Sequence, residues 1–171
     1  MLKGELSLAT KNDLSSIMAI TDQAKVFLKS QGVDQWQNGY PALGDFEQDI
    51  RDQDLFVFKL NDQVAAYAAL IAGPDEHYKL IEDGEWLNQE GPYYAIHRVA
   101  VSEQFRGQQV AQRLFERSLD YLRSNHPSVK SVRVDTHPEN QIMQHVLTKV
   151  GFKRTGNVYM EGLRYGYEQF L

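Results

Sequence analysis

The nine residues Tyr93-Tyr-Ala-Ile-His-Arg-Val-Ala-Val101 constrain the fold of this chain more than any other stretch. The run is apolar and rich in aromatic and β-branched side chains, which predicts a central strand. A turn follows at Arg106-Gly107-Gln108-Gln109. Val110, Leu114, Phe115, Ser118, Tyr121 and Leu122 then recur on one helical face, with Arg113, Glu116, Arg117 and Asp120 outside it. Val132 and Val134 mark a further strand over Ser131 to Asp135. Strand, helix and strand in succession imply a right-handed crossover between locally parallel strands. The fold class is therefore a mixed α/β sheet flanked by helices.

The rest of the chain completes this layout. Leu6 and Leu8 alternate with polar residues as in a short strand. From Asp13 the apolar residues Leu14, Ile17, Met18, Ile20, Ala24, Phe27 and Leu28 take helical spacing, with Gly32 as a stop. Residues 33–45 are irregular and carry Trp36, Asn38, Gly39, Tyr40 and Pro41; a short helix spans Phe46 to Arg51. Strands at Leu55 to Leu60 and Val64 to Ile71 join at Asn61-Asp62, a hairpin turn. Asn140 to Val150 reads as a helix ending at Gly151. A final antiparallel pair, Lys153 to Met160 and Leu163 to Leu171, turns at Glu161-Gly162. The order is β-α-α-β-β-β-α-β-α-β-β. The length of 171 residues suits one domain, taken as residues 3–171.

Charge and composition narrow the function. Cysteine is absent, which excludes disulfides, Cys-ligated metal and a cysteine nucleophile. His126 and His137 lack a clustered third ligand, so no metal site is expected. The net charge of −5 argues against general nucleic-acid binding. The longest apolar run, Val64 to Ala72, has nine residues, whereas a membrane span needs about 18. The first residues lack the apolar core of a signal peptide, and the expectation is a soluble, cytoplasmic protein. Residues 1–95 hold 7 Lys/Arg against 16 Asp/Glu, while residues 96–171 hold 11 against 7. A basic half can hold an anion and an acidic half can attract a cation. Six acids and the aromatics Tyr78 and Trp86 lie in the long loop 73–92, which reads as a functional segment.

The turn at 106–111 carries the clearest chemistry. A helix N-terminus presents unpaired N–H groups and the positive end of the helix dipole, so it binds anions. Gly107 lets the backbone approach a ligand closely, Arg106 adds charge, and Ala111 keeps the first turn open. The alternative is a tight turn that simply needs a glycine. The segment is neither a dinucleotide-binding G-x-G-x-x-G nor a P-loop.

At this point the chain resembles a known family. Val99-Ala-Val-Ser-Glu-Gln-Phe-Arg-Gly-Gln-Gln-Val-Ala-Gln-Arg-Leu resembles motif A of the GNAT superfamily of acyl-CoA-dependent N-acyltransferases, Q/R-x-x-G-x-G/A between a strand and a helix. Arg106 fills the first position and Ala111 the last, but Gln109 replaces the usual glycine. Asn140 to Phe152 resembles the family's N-x-x-A-x-x-L-Y-x-K-x-G-F helix, matching at Asn140, Lys149, Gly151 and Phe152. The resemblance implies a mixed, mostly antiparallel sheet of about seven strands, with acyl-CoA held where the central strands splay. It implies acetyl-CoA as co-substrate and an amine acceptor, with direct transfer in a ternary complex. Val99, Ala100 and Val101 would pair with the pantetheine amides. Gly107, Gln108, Gln109, Val110 and Ala111 would hold the pyrophosphate, and Asn140 would lie near the pantetheine arm.

The catalytic groups are less defined. The family often places a tyrosine, as general acid, where this chain has Leu147. A base near neutrality is needed to deprotonate the amine, and His97 is the first candidate, ahead of Glu168. The competing reading of His97 is a hydrogen-bonded core histidine. Trp36, Tyr40, Tyr78 and Trp86 are candidates to bind a cationic amine, set against a reading as loop side chains covering a core edge. A catalytically inactive, acyl-CoA-binding or regulatory module is the alternative function. The apolar strand near the C-terminus leaves a homodimer open.

Overall fold

The computed structural model describes residues 2–171. The elements are β1 (Gly4–Leu8), α1 (Leu14–Ser30), α2 (Leu43–Arg51), β2 (Leu55–Leu60), β3 (Gln63–Ala72), β4 (Tyr93–Val101), α3 (Val110–Asn125), β5 (Ser131–Thr136), α4 (Gln141–Val150), β6 (Lys153–Tyr159) and β7 (Leu163–Phe170). The strand order is β1-β2-β3-β4-β5-β7-β6. β4 and β5 run parallel, whereas β1–β2, β2–β3, β5–β7 and β6–β7 are antiparallel. This is the expected mixed, mostly antiparallel sheet of seven strands. The chain forms two compact units, one from the chain up to Leu70 with Arg98–Leu114, the other from Ile71–His97 with Phe115–Leu171.

In the first unit, β1 departs from the simple alternation expected of Leu6 and Leu8. Leu8 is 42% exposed, and the buried residue of the strand is Gly4. A Cβ at Gly4 would lie 2.0 Å from the Phe58 ring, so glycine is what lets this ring reach β1. The β2–β3 hairpin turns at Asn61 and Asp62 with φ of 49° and 61°. Two left-handed central residues match the twist of the flanking strands, and Asn and Asp tolerate that conformation best after glycine. Phe46 of α2 meets Tyr67 of β3 edge-to-face at 5.2 Å. α2 begins at Leu43, earlier than expected, because the Ala42 N–H donates to Asp45 Oδ2 at 2.8 Å and caps the helix.

In the second unit, the loop 73–92 is built into the core. Tyr78, Trp86, Ala95 and Val158 form a buried cluster. Glu82 and Asn157 exchange backbone hydrogen bonds, and a Cβ on Gly84 would lie 1.8 Å from the Thr155 carbonyl. Glycine is required there for the loop to lie against β6. α4 is capped by Asn140 Oδ1, which accepts from the Met143 N–H at 3.1 Å. It stops at Gly151, φ 113°, with the Phe152 N–H returning to the Leu147 carbonyl at 2.9 Å.

Acid crowding at the α2–β2 junction gives a stability prediction. Burial, reinforced by Asp52 and Asp49, raises the Asp54 carboxyl from 3.8 to about 6. The folded state therefore holds this proton more tightly than the unfolded chain. The contribution of Asp54 to stability is greatest below about pH 4 and falls as pH rises through about 6. Asp54→Asn should unfold at higher denaturant than the parent at pH 7, and the advantage should vanish near pH 4. Equal midpoints at pH 7 would contradict this.

Candidate active site

In the first unit, β4 leaves the sheet through Ser102, whose N–H donates to the Ala65 carbonyl at 2.8 Å and whose Oγ caps the turn at Gln104 N. The chain then passes Arg106 and enters α3 at Val110. Gly107 has φ 80° and Gln109 has φ 58°, so two of the three residues before the helix are left-handed. Such a turn points successive N–H groups to one side, a geometry that collects anions. Among the described residues nothing accepts from the N–H groups of Gly107, Gln108 or Gln109. Val110 and Ala111 begin α3, so their N–H groups have no acceptor within it.

Gln109 thus takes a conformation that favours glycine, at the position where the family motif has one. A Cβ at Gly107 would meet nothing within 4 Å, so the glycine serves the dihedral and leaves the turn open. Arg106 does not face this turn as a simple charge. Its guanidinium lies 4.0 Å from the Phe27 ring centroid on α1, and its N–H is used by the Glu103 carbonyl.

Arg98 breaks β4. Its φ is 51°, a left-handed residue inside a strand, which interrupts the alternation of side chains there. Its Nε and Nη2 donate to Asp49 at 2.6 and 2.7 Å, and Nη1 donates to the Tyr40 hydroxyl at 2.7 Å. Burial pushes the Asp49 carboxyl up from its ordinary value, against the pull of Arg98. Tyr40 is thereby tethered while 39% exposed, and Trp36 is half-buried in the same loop. Val99 and Val101 are half-buried, and Ala100 is buried.

In the second unit, the parallel ladder between β4 and β5 holds only Tyr93–Ser131, Tyr94–Val132 and Ala95–Arg133. β5 runs on to Thr136 and β4 passes through Ile96 and His97 with no further pairing between them. The central strands separate after three residues, as the expected splay requires. His97 is flanked by two carboxylates. Its Nε2 is 2.9 Å from Asp75 Oδ2, and its Nδ1 is 3.9 Å from Asp135 Oδ2. Asp135 Oδ2 accepts from the Tyr78 hydroxyl at 2.6 Å. Hydrogen bonding to His97 lowers the Asp75 carboxyl from 3.8 to about 2.

Three of the expected site residues have other roles. Glu168 is fully buried, and both its oxygens are occupied. Oε1 accepts from the backbone N–H groups of Leu87 and Asn88; Oε2 accepts from Ser131 Oγ at 2.7 Å and Arg133 Nε at 2.9 Å. A carboxylate with four donors and no exposure cannot take a proton from an amine, so Glu168 is a structural anchor of the loop. Tyr78 and Trp86 are 1% and 7% exposed and belong to the core cluster. Trp86 Nε1 donates to the Tyr78 carbonyl at 2.8 Å, and the Arg133 guanidinium lies 4.3 Å from the Trp86 ring. The loop folds both rings inward, where they line one pocket together with Tyr93 and Arg133. Asn140 spends Oδ1 on the α4 cap, and Leu147 is fully buried. Asp75 lies 22 residues before His97, and no spacing signal in the sequence joins the two.

Residues 21–152 match the model of the acetyltransferase (GNAT) family. The chain is 24% identical over 152 residues to the uncharacterized N-acetyltransferase YesJ of Bacillus subtilis (strain 168), covering 86% of this chain and 81% of that protein. A crystal structure of a GNAT-family acetyltransferase from Streptococcus agalactiae is 33% identical, with a TM-score of 0.91 over 100% of this chain and 99% of its own. The aminoglycoside acetyltransferase AAC(6')-Ib, solved in complex with coenzyme A, shares the fold at 20% identity and a TM-score of 0.70, over 98% of this chain and 95% of its own. A family model over most of the chain and a solved relative at 33% identity agree, and the chain belongs to the GNAT family of acetyltransferases.

Proposed function

We propose that this protein transfers an acetyl group from acetyl-CoA to a primary amine, by direct transfer in a ternary complex. The observation that carries the reading is the row of N–H groups at Gly107, Gln108 and Gln109, which have no acceptor among the described residues and lie just before α3. They suit the pyrophosphate of coenzyme A, whose charge the helix dipole also favours. The strand backbone at Val99, Ala100 and Val101 is the assigned partner of the pantetheine amides. Residues 3–171 are read as one acetyltransferase domain, because the boundary between the two compact units falls inside β3, β4 and α3.

The acceptor is read as a cationic amine. The excess of acids over residues 1–95 raises the local concentration of cations and disfavours anionic substrates. Trp36 and Tyr40, in the loop before α2, are the remaining aromatic candidates for its recognition. His97 is proposed as the base that removes the amine proton before attack on the thioester. The amine nitrogen then bonds to the acetyl carbon, the thioester C–S bond breaks, and the second proton leaves nitrogen for the thiolate. With Leu147 buried where the family often has a tyrosine, water is the proposed carrier of that proton. The same leucine favours the second reading, an acyl-CoA-binding module without catalysis.

Mixing the protein with acetyl-CoA and spermidine, kanamycin, a lysine peptide and glutamate, each in turn, separates the two readings. Free thiol should appear with the cationic amines and not with glutamate. Coenzyme A binding without thiol release from any amine would leave only the binding module. His97→Ala should lower kcat by about 10²–10⁴-fold with little change in acetyl-CoA affinity; a fully active variant would remove His97 from the mechanism.

The turn itself makes a separate prediction. A left-handed non-glycine residue costs about 1–2 kcal/mol, and glycine is tolerated just before a helix. Gln109→Gly should therefore raise the melting temperature by about 2–8 °C, and Gly107→Ala should lower it by a similar amount. Both variants should still bind coenzyme A. A melting temperature that falls in Gln109→Gly would contradict the strained turn.

A further inference from the structure

The half-buried His97 ring takes one hydrogen bond and is faced by a second carboxylate and an aromatic ring. Asp75 reaches it from the loop after β3, with Oδ2 at 2.9 Å from Nε2. Asp135 of β5 faces Nδ1 at 3.9 Å, beyond hydrogen-bond range. The Tyr78 ring lies 5.8 Å away, and Arg164 of β7 approaches through Asp135, whose Oδ1 is 4.0 Å from its Nε. Asp75 is itself fixed from three directions. Its N–H donates to the Tyr93 hydroxyl at 2.7 Å, its Oδ1 accepts from the His77 N–H at 2.9 Å, and the His77 ring lies 3.3 Å from the same oxygen. Oδ1 thus anchors the loop and Oδ2 is committed to His97.

We infer that Asp75 is the positioning residue of the catalytic base: it holds the His97 proton on Nε2 and so keeps the lone pair on Nδ1. An ionised carboxylate only accepts hydrogen bonds, so the nitrogen facing Asp75 Oδ2 must carry the hydrogen. The remaining nitrogen, Nδ1, faces Asp135, which is already engaged by Tyr78. Asp135 donates nothing to it, so the lone pair stays available to an N–H donor. An ammonium group arriving there transfers one proton to Nδ1 and becomes the free amine that attacks the thioester. The imidazolium that forms is flanked by Asp75 and Asp135, which offset its charge. This inference rests on His97 being the base proposed above, and it adds the group that decides which nitrogen does the work.

Asp75→Asn tests it while sparing the fold. The asparagine Oδ1 can keep the bond from the His77 N–H, while its NH₂ replaces Oδ2 and donates toward Nε2. The tautomer should then switch, placing the hydrogen on Nδ1. Long-range ¹H–¹⁵N spectra of neutral His97 should show the Nε2–H form in the parent and the Nδ1–H form in Asp75→Asn. With acetyl-CoA and the best amine of the panel, the variant should lose at least tenfold in kcat and keep its KM for acetyl-CoA. In a His97→Ala background the same substitution should cost nothing further, because the two residues act as one unit. A parent that carries the hydrogen on Nδ1, or an Asp75→Asn variant that keeps it on Nε2, overturns the inference. So does full activity in Asp75→Asn when His97→Ala is impaired, which leaves His97 as base without its positioning partner. Full activity in His97→Ala instead removes the base itself, and the catalytic role of Asp75 with it.

Discussion

The parallel ladder between β4 and β5 lasts three residue pairs and then stops. A parallel pair needs a crossover connection, so β4 must feed a helix before β5 can return beside it. That requirement puts a turn and a helix N-terminus after β4. The short ladder also releases both strands from each other before they end. Backbone that would be paired in a longer ladder is left for other partners, and side chains such as His97 and Asp135 face each other at 3.9 Å. The features of the candidate site follow from where that pairing ends.

The second unit spends buried charge to hold its long loop in place. Glu168 draws in two loop N–H groups, Ser131 and Arg133, while the Arg133 guanidinium lies 3.8 Å from the Tyr93 ring centroid and donates to the Asn88 carbonyl at 2.7 Å. Removing one member would strand a buried charge, which costs several kcal/mol in comparable networks, about 3–5. The loop's order in turn sets Asp75 beside His97. A structural ion pair on one side of the loop and a candidate catalytic pair on the other therefore depend on the same 20 residues, 73–92. In the first unit, Arg98 plays the comparable part, tying Asp49 and Tyr40 to the irregular point of β4.

Much of this architecture is legible in the sequence. Hydrophobic patterning and turn residues together located the seven strands and four α-helices, although β1 buries Gly4 where the alternation pointed to Leu6 and Leu8. Asn61-Asp62 and Gly151 announced their left-handed turns by residue type. The Arg106–Ala111 segment announced its chemistry by sitting between a strand and a helix. What stayed hidden depended on long-range packing. Tyr78 and Trp86 looked like recognition aromatics because they sit in an acidic, polar loop. Nothing local says that the loop folds inward and buries them. Glu168 looked available because its four donors come from residues 87, 88, 131 and 133, all distant in sequence. Arg98 shows no sign in sequence of a left-handed residue within a strand, since arginine has no preference for it.

The central claim is that the free N–H groups before α3 hold the pyrophosphate of coenzyme A. Titrating coenzyme A into ¹⁵N-labelled protein and following backbone amides tests it directly. The account predicts saturable shifts that are largest at Gly107, Gln108 and Gln109, and that weaken when dephosphorylated pantetheine replaces coenzyme A. Coenzyme A that binds while these three amides stay unmoved, or that fails to bind at millimolar concentration, would contradict it.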